Sequence, residues 1–363
     1  MSQSEKKTEK SQRENKSKNI SRRLNGALSN SIERTLEKTI VKAKQNRDKS
    51  KKTSSWTRAH RSVDHGLTPP FGFRLFKELE PLKPKEGVHT LTTVGQYVWG
   101  GGLDGTLTIW DARTGRNLGS RQAHKGRIFA MFLVNNHVWT AADDNKVKIW
   151  NLHGSLAQDL LLFNGRVACA SHFGDEVWFG FLGSCIRIVD TKTLTVKKDI
   201  DLKKVVRHIF KHKDLVWICT DEHITRINVK THIIVDVLDQ GRVNHLVYAG
   251  NNRVWGASSD SSITVWDAET GKQITTCGGH TGHVFSLLAA GGFVWSGGWD
   301  GKILVWDATT MKTERTLELD KDVVSAIILV PVKAVVSDDE AHKEIEIFTV
   351  WSAAWDGNVC VWL

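Results

Sequence analysis

Tryptophan recurs along this chain at a nearly constant interval. Seven of the 15 tryptophans are separated by 40, 39, 39, 38, 40 and 56 residues, so only the last interval departs from a period near 39. A fixed period of this length is typical of repeat architectures, in which each repeat is one small unit that packs on the next. The seven residues are Trp99, Trp139, Trp178, Trp217, Trp255, Trp295 and Trp351.

A second column of residues lies 11 positions after the first and is tryptophan in five of the seven repeats. The segments that end there alternate between polar and apolar residues, as in Lys-Val-Lys-Ile-Trp at 146–150. Alternation with a period of two predicts β-strands. The second column consists of Trp110, Trp150, Val189, Asn228, Trp266, Trp306 and Trp362.

Tight turns separate the two columns. Asp-Gly pairs at 104–105, 300–301 and 356–357 have the composition of β-hairpin turns. No proline occurs from residue 85 to residue 330, and proline would remove hydrogen-bond donors from a strand ladder. Each repeat therefore predicts antiparallel strands joined by hairpins.

These repeats resemble the WD-repeat family, as in Val-Trp-Ser-Gly-Gly-Trp-Asp-Gly at 294–301 followed by Val-Trp-Asp at 305–307. The resemblance implies an all-β fold, a seven-bladed β-propeller over residues 71–363. It also implies a buried structural tetrad of His, Ser or Thr, Asp and Trp. The complete tetrad is His280, Ser296, Asp300 and Trp306, and a near match is His124, Thr140, Asp144 and Trp150.

Ring closure needs one more strand. The last blade reaches its third strand at Trp362, and we expect the half-apolar segment 73–82 to supply the fourth, because an unpaired edge exposes backbone hydrogen-bonding groups. The long interval before Trp351 predicts an insertion near Pro331–Glu346, which contains the acidic run 337–340 and is expected to be a solvated loop.

Residues 1–70 form a basic arm. Residues 1–61 hold 18 Lys or Arg against 6 Asp or Glu, a net charge of +12, and the rest of the chain carries −2. The segments 1–19 and 45–61 contain almost nothing apolar and are expected to be disordered. Between them an apolar stripe predicts an amphipathic helix over about 20–44. The stripe is Ile20, Leu24, Leu28, Ile32, Leu36 and Ile40.

Three roles stay open for this helix: docking on the propeller, pairing with a partner helix, and lying on a membrane surface. The nearly neutral remainder of the chain argues against a broad nucleic-acid groove on the propeller. Contact with a polyanion or a membrane through residues 1–61 is therefore the alternative to protein binding by the propeller.

Motifs that carry chemistry are missing. Gly100, Gly102 and Gly105 match a dinucleotide-binding pattern, but a predicted strand follows them instead of a helix. No metalloprotease, phosphate-loop or nucleophile-elbow motif occurs, so we expect no enzyme, no cofactor and no metal. The cysteines lack metal-ligand spacing and are expected to be reduced and buried. They are Cys169, Cys185, Cys219, Cys277 and Cys360.

Aligning the repeats places cations and aromatics on one face of the predicted propeller. In the turns between second and third strands, Trp299, Trp355 and Leu103 precede the Asp in blades 6, 7 and 1. Exposed aromatics beside cations are typical of interface hot spots, although these residues could equally be solvated or pack on neighbouring turns. The positions before the first strands of blades 2 to 7 are Arg127, Arg166, Lys204, Arg242, His283 and Asp322.

The predicted function is a non-enzymatic scaffold or adaptor, a monomeric propeller that binds an acidic or phosphorylated protein segment with an apolar anchor. Trp110-Asp111-Ala112-Arg113 also resembles the WDxR box of substrate receptors for cullin-type ubiquitin ligases, although an exposed Arg opening a turn explains it as well. Without a signal peptide or a long apolar run, the expected location is the cytoplasm, with the nucleus as the alternative.

Overall fold

A computed structural model describes residues 75–79, 87–160, 165–183, 185–319, 322–338 and 341–362. Within these ranges the chain forms seven four-stranded sheets, and the predicted all-β, seven-bladed fold is confirmed. None of the described residues belongs to a helix long and apolar enough to cross a membrane. The predicted arm, residues 1–70 with its helix at about 20–44, lies outside the described residues.

Blades 1 to 6 are each built from four consecutive strands in sequence order, and their first strands contact one another from blade to blade. Blade 1 comprises β2 (Val88–Val94), β3 (Tyr97–Gly102), β4 (Thr106–Asp111) and β5 (Asn117–Gln122). Blade 2 comprises β6 (Ile128–Val134), β7 (His137–Ala142), β8 (Val147–Asn151) and β9 (Leu156–Leu160). Blade 3 comprises β10 (Val167–Phe173), β11 (Glu176–Phe181), β12 (Cys185–Asp190) and β13 (Val196–Asp201).

The same arrangement continues through the next three blades. Blade 4 comprises β14 (Val206–His212), β15 (Leu215–Thr220), β16 (Ile224–Asn228) and β17 (Ile234–Leu238). Blade 5 comprises β18 (Val243–Tyr248), β19 (Arg253–Ser258), β20 (Ile263–Asp267) and β21 (Gln273–Cys277). Blade 6 comprises β22 (Val284–Ala290), β23 (Phe293–Gly298), β24 (Lys302–Asp307) and β25 (Thr313–Glu318).

Blade 7 combines strands from two distant parts of the chain. Its strands are β26 (Val324–Asp338), β27 (Ala341–Ala354), β28 (Val359–Trp362) and β1 (Leu75–Leu79). Strand β1 lies within the segment 73–82 and runs antiparallel to β28, with Leu75 opposite Trp362. Blade 7 also adjoins blade 1, where Ser325 Oγ donates to Val88 O at 2.6 Å. The ring of blades is thereby continuous.

The insertion in blade 7 is not a solvated loop. Strands β26 and β27 contain 15 and 14 residues, about twice the length of their counterparts, so the inserted residues continue both strands. The interpretation of Pro331–Glu346 as a loop was wrong because it gave the acidic run more weight than the β-branched residues before it, which favour extended backbone. Residues Pro331–Phe348 belong to a second compact unit of the chain.

Blade 4 departs from the sequence alignment by one residue. Ile227, and not Asn228, takes the position that Trp150 has in blade 2. The turn between β15 and β16 is one residue shorter and is closed by Thr220 N, which donates to His223 O at 2.9 Å. In blade 4, a constant spacing of 11 residues therefore assigned the second column to Asn228, one residue after the true position.

A β-bulge follows the first residue of every first strand in blades 1 to 6. A bulge leaves one residue without a partner on the neighbouring strand and redirects its side chain. Because each bulge occurs at the same level of an innermost strand, these side chains gather at one end of the central channel. The bulge residues are His89, Phe129, Ala168, Arg207, Asn244 and Phe285.

Candidate protein-interaction surface

The predicted tetrad of blade 6 forms one hydrogen-bonded chain. His280 Nδ1 lies 3.0 Å from both carboxylate oxygens of Asp300, and His280 Nε2 lies 2.7 Å from Ser296 Oγ. Trp306 Nε1 donates to Ser296 Oγ at 2.9 Å. With a carboxylate on Nδ1, the neutral imidazole carries its proton there. Blade 2 repeats the chain with His124, Asp144, Thr140 and Trp150.

Burial sets the charge state of this network. It lowers the pKa of His280 and outweighs the opposite effect of Asp300. Burial alone would raise the pKa of Asp300, but hydrogen bonds from Thr281 N, His280 and Lys302 N hold that pKa below its usual value. The network therefore pairs a neutral imidazole with a carboxylate, and both groups are engaged in holding the blade together.

Other blades keep only parts of this network. In blade 7, Trp362 Nε1 donates to Ser352 Oγ at 2.8 Å. In blade 5, glycine replaces the serine, and a Cβ at Gly256 would lie 2.4 Å from the Trp266 ring. The indole nitrogen of Trp266 is buried and has no hydrogen-bond partner among the described residues. Tryptophan can therefore fill a blade by packing alone.

Aromatic side chains from blades 6, 7, 1 and 2 meet at the bulge end of the channel. We call His89, Phe129, Phe285, Trp299 and Trp355 the aromatic cluster. Ring centroids lie 6.0 Å apart for Phe285 and Trp299, 5.9 Å for Phe285 and Trp355, and 6.4 Å for the two tryptophans. His89 continues the cluster, at 6.3 Å from Trp355 and 5.4 Å from Phe129. The cluster thus crosses the junction where the ring closes.

Arg127 adds a positive charge to the aromatic cluster. Its Cζ lies 5.3 Å from the centroid of Phe129 and 5.8 Å from that of Trp355, within cation–π range. Burial, and then Arg127, lower the pKa of His89 to about 4, so this imidazole is neutral. Arg127 Nε and Trp355 Nε1 are buried donors without a hydrogen-bond partner among the described residues. A ligand oxygen would satisfy either of them.

The structure brings four of the predicted partner-binding residues together. Trp299 is 52% exposed at the tip of its hairpin turn, whereas Trp355 is half-buried. His283 contacts Trp299 with ring centroids 5.1 Å apart, and Arg127 reaches the same cluster. Leu103 holds the equivalent turn position in blade 1 and is half-buried, with its backbone N donating to Gly87 O at 2.8 Å.

The other predicted cations lie in blades 3 to 5. Arg166 forms an ion pair with Asp143, and Lys204 forms one with Glu222. Arg242 is exposed and forms no ion pair with a described residue. Only Arg242 of these three thus retains an unpaired charge.

Two alignment positions before the first strands shift by one residue. Strand β14 begins at Val206, so Val205 and not Lys204 corresponds to Arg127. In blade 7 Trp355 N donates to Val323 O at 3.2 Å, so Val323 replaces Asp322. In both blades a valine precedes the strand and a second valine begins it, as Val205 and Val206 do in blade 4. The apolar pattern alone does not show which of the two valines is the first residue of the strand.

Sequence reasoning missed His89, Phe129, Phe285 and Arg207, which share the bulge column. In a regular strand, side chains alternate between the two faces of the sheet, which fixes the face of the second residue. A bulge moves that side chain to the other face, although the amino-acid composition of the strand is unchanged. The available signal was the column itself, because each of these residues directly follows a buried Val or Ile.

Arg113 lies in an ordinary turn. The turn after β4 is closed by Asp111 Oδ1, which accepts from Thr114 N at 2.7 Å. Blades 5 and 6 build the same turn with Asp267–Thr270 and Asp307–Thr310. Arg113 is exposed, and nothing in its surroundings distinguishes it from an ordinary surface arginine.

The five cysteines are free. Cys169, Cys219 and Cys360 are buried as expected, but Cys185 and Cys277 are only half-buried because they lie at the end of a strand in the outer half of a blade. Burial raises the pKa of Cys169 to about 12, which disfavours the reactive thiolate. Among the residues that the structure describes, no group of three His, Cys, Asp or Glu could hold a metal ion.

A cavity of about 540 Å³ opens between the first strands of blades 3, 4 and 5. The rings of His208 and His245 lie 4.0 Å apart at its wall, and Leu246 N donates to His208 Nδ1 at 3.2 Å. Burial lowers the pKa of both, that of His245 to about 4. This pair is therefore neutral and suited to packing.

Comparisons with known proteins point to one repeat family. The model of the WD domain, G-beta repeat, matches residues 271–307, which include blade 6 up to the end of β24. A computationally designed protein, Ika8, has a crystal structure that matches with a TM-score of 0.59 at 21% identity, covering 78% of this chain and 98% of that chain. This likeness concerns the fold.

Two natural relatives share parts of the sequence. The chain is 27% identical over 293 residues to the probable serine/threonine-protein kinase pats1 of Dictyostelium discoideum, covering 77% of this chain and 9% of that protein. It is 29% identical over 92 residues to autophagy-related protein 16 of Arabidopsis thaliana, covering 24% of this chain and 18% of that protein. The chain therefore spans less than a fifth of either relative.

Proposed function

Since this chain is a WD-repeat β-propeller, we propose that it is a non-enzymatic interaction module whose aromatic cluster binds a segment of a partner protein. The half-exposed indole of Trp299 carries this proposal. An exposed indole at the tip of a hairpin keeps apolar surface in contact with water, which is unfavourable. A partner that covers the indole removes this surface from water, so such exposure marks an interaction site. Its neighbours, Phe285 and Trp355, extend the apolar surface inward.

In this proposal the partner segment makes two kinds of contact. An apolar side chain of the partner packs on Trp299 and Phe285, and a backbone or side-chain oxygen accepts from Trp355 Nε1 or Arg127 Nε. Buried Trp and Arg are the residues that most often dominate binding energy at protein interfaces. The cations around this end of the channel favour an acidic or phosphorylated segment.

A non-catalytic role agrees with the state of the polar groups. The histidine–carboxylate pairs of blades 2 and 6 are closed structural networks, and the buried histidines of the channel are neutral. The hydroxyl groups bonded to the histidines of blades 2 and 6, those of Thr140 and Ser296, belong to residues that are 0% exposed, so neither is open to a substrate. The matched kinase is a protein of which this chain covers 9%, so that name does not extend kinase chemistry to the propeller.

Trp299→Ala tests the proposal directly. In quantitative affinity capture with the full chain as bait, partners held by the aromatic cluster should fall by about tenfold or more, as expected for loss of a hot spot. The matched control is Ile274→Ala, which removes a 45% exposed side chain from the outer strand β21. Equal capture by both variants would contradict the proposal.

Salt and truncation separate this function from binding by the basic arm. Capture by the propeller should survive deletion of residues 1–61. Binding of the arm to a polyanion should instead disappear with the deletion and weaken by about tenfold to thousandfold between 50 and 200 mM salt. That second pattern would assign the activity to the arm.

A further inference from the structure

The outer strand of blade 4 exposes a cluster of large apolar side chains. Four of them, which we call the apolar edge, are between 45% and 62% exposed: Ile233, Ile234, Val235 and Val237. Strand β17 is the last of its sheet, so none of the described strands covers its outer side. Every other outer strand in blades 1 to 6 exposes at most one large apolar side chain. A contiguous apolar patch on an unpaired edge marks a contact site.

The apolar edge also lacks the charges that usually keep such edges apart. Exposed charged side chains, lysine above all, prevent strand edges from associating. In β17 the only charged residue is Asp236, and Nε of buried Arg226 donates to its Oδ1 at 2.7 Å. The outer strands of blades 1, 2, 3 and 6 instead carry exposed charges, among them Arg121, Asp159, Lys198 and Glu314.

Opposite charges lie at the two ends of the apolar edge. Lys198 of blade 3 is exposed, and its Nζ donates to His232 O at 3.1 Å, which places the ammonium group beside the first residue of the edge. Asp239 is exposed and directly follows β17 at the other end. Neither side chain forms an ion pair with a described residue. The apolar edge is therefore flanked by an unpaired cation and an unpaired anion.

We propose that two copies of this chain associate through their apolar edges, with the two β17 strands antiparallel about a two-fold axis. In such a pair the same patch of each copy covers the other. Lys198 of each copy then lies beside Asp239 of the second copy, whereas a parallel arrangement would bring like charges together. A bulge at Val235 interrupts the regular pairing of β17. The apolar side chains, more than a long backbone ladder, therefore hold the two copies together.

This dimer is independent of the aromatic cluster. The apolar edge belongs to blade 4, whereas the cluster belongs to blades 6, 7, 1 and 2, so association through β17 uses none of the cluster residues. Each dimer then carries two clusters and binds a partner with two docking segments more tightly than a single propeller does. In this proposal the chain is a dimer, and not the monomer expected from its sequence.

Sedimentation equilibrium of the full chain at physiological salt tests the dimer. The wild-type chain should shift from one copy to two as its concentration rises. Val237→Lys should raise the dissociation constant about hundredfold or more, because each copy would place a charge inside an apolar contact. The matched control is Ile274→Lys, which introduces the same charge at a 45% exposed position of β21 in blade 5 and should leave the dissociation constant unchanged. Circular dichroism checks that both variants keep the fold.

Charge reversal tests the antiparallel arrangement. Lys198→Glu and Asp239→Lys should each weaken the dimer by about threefold to tenfold, since each change brings like charges together. The double variant should regain most of the wild-type affinity, because opposite charges meet again with their positions exchanged. These changes leave the apolar edge intact, so they test the dimer even if Val237→Lys lowers stability. A double variant that is as weak as the single variants would contradict the antiparallel arrangement.

Two outcomes overturn the dimer. One is a wild-type chain that stays monomeric up to about 100 μM, where even a dissociation constant of about 10 μM gives mostly dimer. The other is a dimer that is equally strong in Val237→Lys and Ile274→Lys, which places the interface on another surface. If a monomeric chain loses a captured partner in Val237→Lys but keeps it in Trp299→Ala, the apolar edge binds that partner and not a second copy.

Discussion

Blades 6 and 4 have the same four-stranded arrangement, but the interior of blade 6 is polar and that of blade 4 is aliphatic. Blade 6 is held by the hydrogen-bonded chain from Trp306 through Ser296 and His280 to Asp300. At the positions of Ser296 and Trp306, blade 4 has two isoleucines, 218 and 227, and both are fully buried. The blade geometry therefore does not depend on the tetrad, since close aliphatic packing fills the same space.

The polar element of blade 4 lies on its other side. Arg226, only 3% exposed, forms an ion pair with Asp236 and donates to Glu269 O at 3.0 Å and Thr270 O at 3.2 Å. Its Cζ lies 5.0 Å from the centroid of Trp217. The tetrad joins the strands of blade 6 to the loop before them, whereas Arg226 joins blade 4 to the turn of blade 5.

Arg226→Ala should have the largest effect on stability. The change leaves Asp236 and two carbonyl groups of blade 5 without their donor, so we expect the free energy of unfolding to fall by about 3–5 kcal/mol. Urea unfolding measures the loss. Arg226→Met loses the same hydrogen bonds but keeps packing on Trp217 and resembles the aliphatic residues of the other blades, so the difference between the two variants measures the packing of this side chain. An Ala variant that loses under about 1 kcal/mol would show that packing alone joins these blades.

Asp300→Ala should follow at about 2–4 kcal/mol, because it leaves buried His280 and two backbone N–H groups without their acceptor. Asp260→Ala is the matched control. Asp260 is exposed in the same turn of blade 5 and bonds only to Ser262, so its removal should cost under about 1 kcal/mol. Equal losses by urea unfolding would mean that the tetrad adds nothing to the turn.

Acid should weaken the tetrad blades. Burial lowers the pKa of His280, so below about pH 6.5 the unfolded chain binds a proton that the folded network rejects. Stability is then lost as the pH falls from 6.5 towards the lowered pKa. Between pH 7 and pH 5.5 the fall should be smaller in His280→Gln than in the wild type, by at most about 1 kcal/mol, measured by urea unfolding at each pH. If the free energy of unfolding fell more steeply with acid in the variant, the pKa of His280 would be raised in the folded protein and not lowered.

The smallest contrast concerns two tryptophans. Trp306→Phe loses a hydrogen bond to Ser296, whereas Trp266→Phe loses none, because Trp266 Nε1 has no partner in the part of the chain that the structure describes. Both changes remove similar apolar volume, so the difference between the two losses isolates the bond. We expect Trp306→Phe to cost about 0.5–1 kcal/mol more. Identical losses would indicate that Ser296 compensates by bonding elsewhere.

Sequence reasoning succeeded where a feature repeats at a fixed interval. The period of the first tryptophan column predicted seven repeats, and the resemblance to the WD-repeat family implied the tetrad that contains His280, Ser296 and Asp300. Sequence reasoning failed where the register of a strand depends on one residue more or less in a turn. The short turn at Thr220 displaced Asn228 from its predicted column, since the hydrophobic pattern of a strand does not record the length of the turn before it.

The residues of the candidate surface were only partly predictable from the sequence, for a related reason. Trp299 was evident because a bulky aromatic in a polar turn contradicts the turn pattern. Phe129 and Arg207 were harder to find, because regular alternation assigns them to the other side of the strand and only their shared position after a buried Ile or Val marks the bulge. The predicted ring of cations also contained Arg166, whose pairing with Asp143 depends on the contact between two neighbouring blades.

The pairing of β1 with β28 shapes the biosynthesis of this protein. Leu75 must wait for Trp362, and at about 5–20 residues per second the ribosome needs roughly 15–60 s to synthesise the chain between them. During that time six blades can form in order while the first-made strand has no place to pair. Nascent chains therefore expose an unfinished sheet and an unpaired strand together, and such unpaired edges are prone to aggregation until translation reaches the final blade.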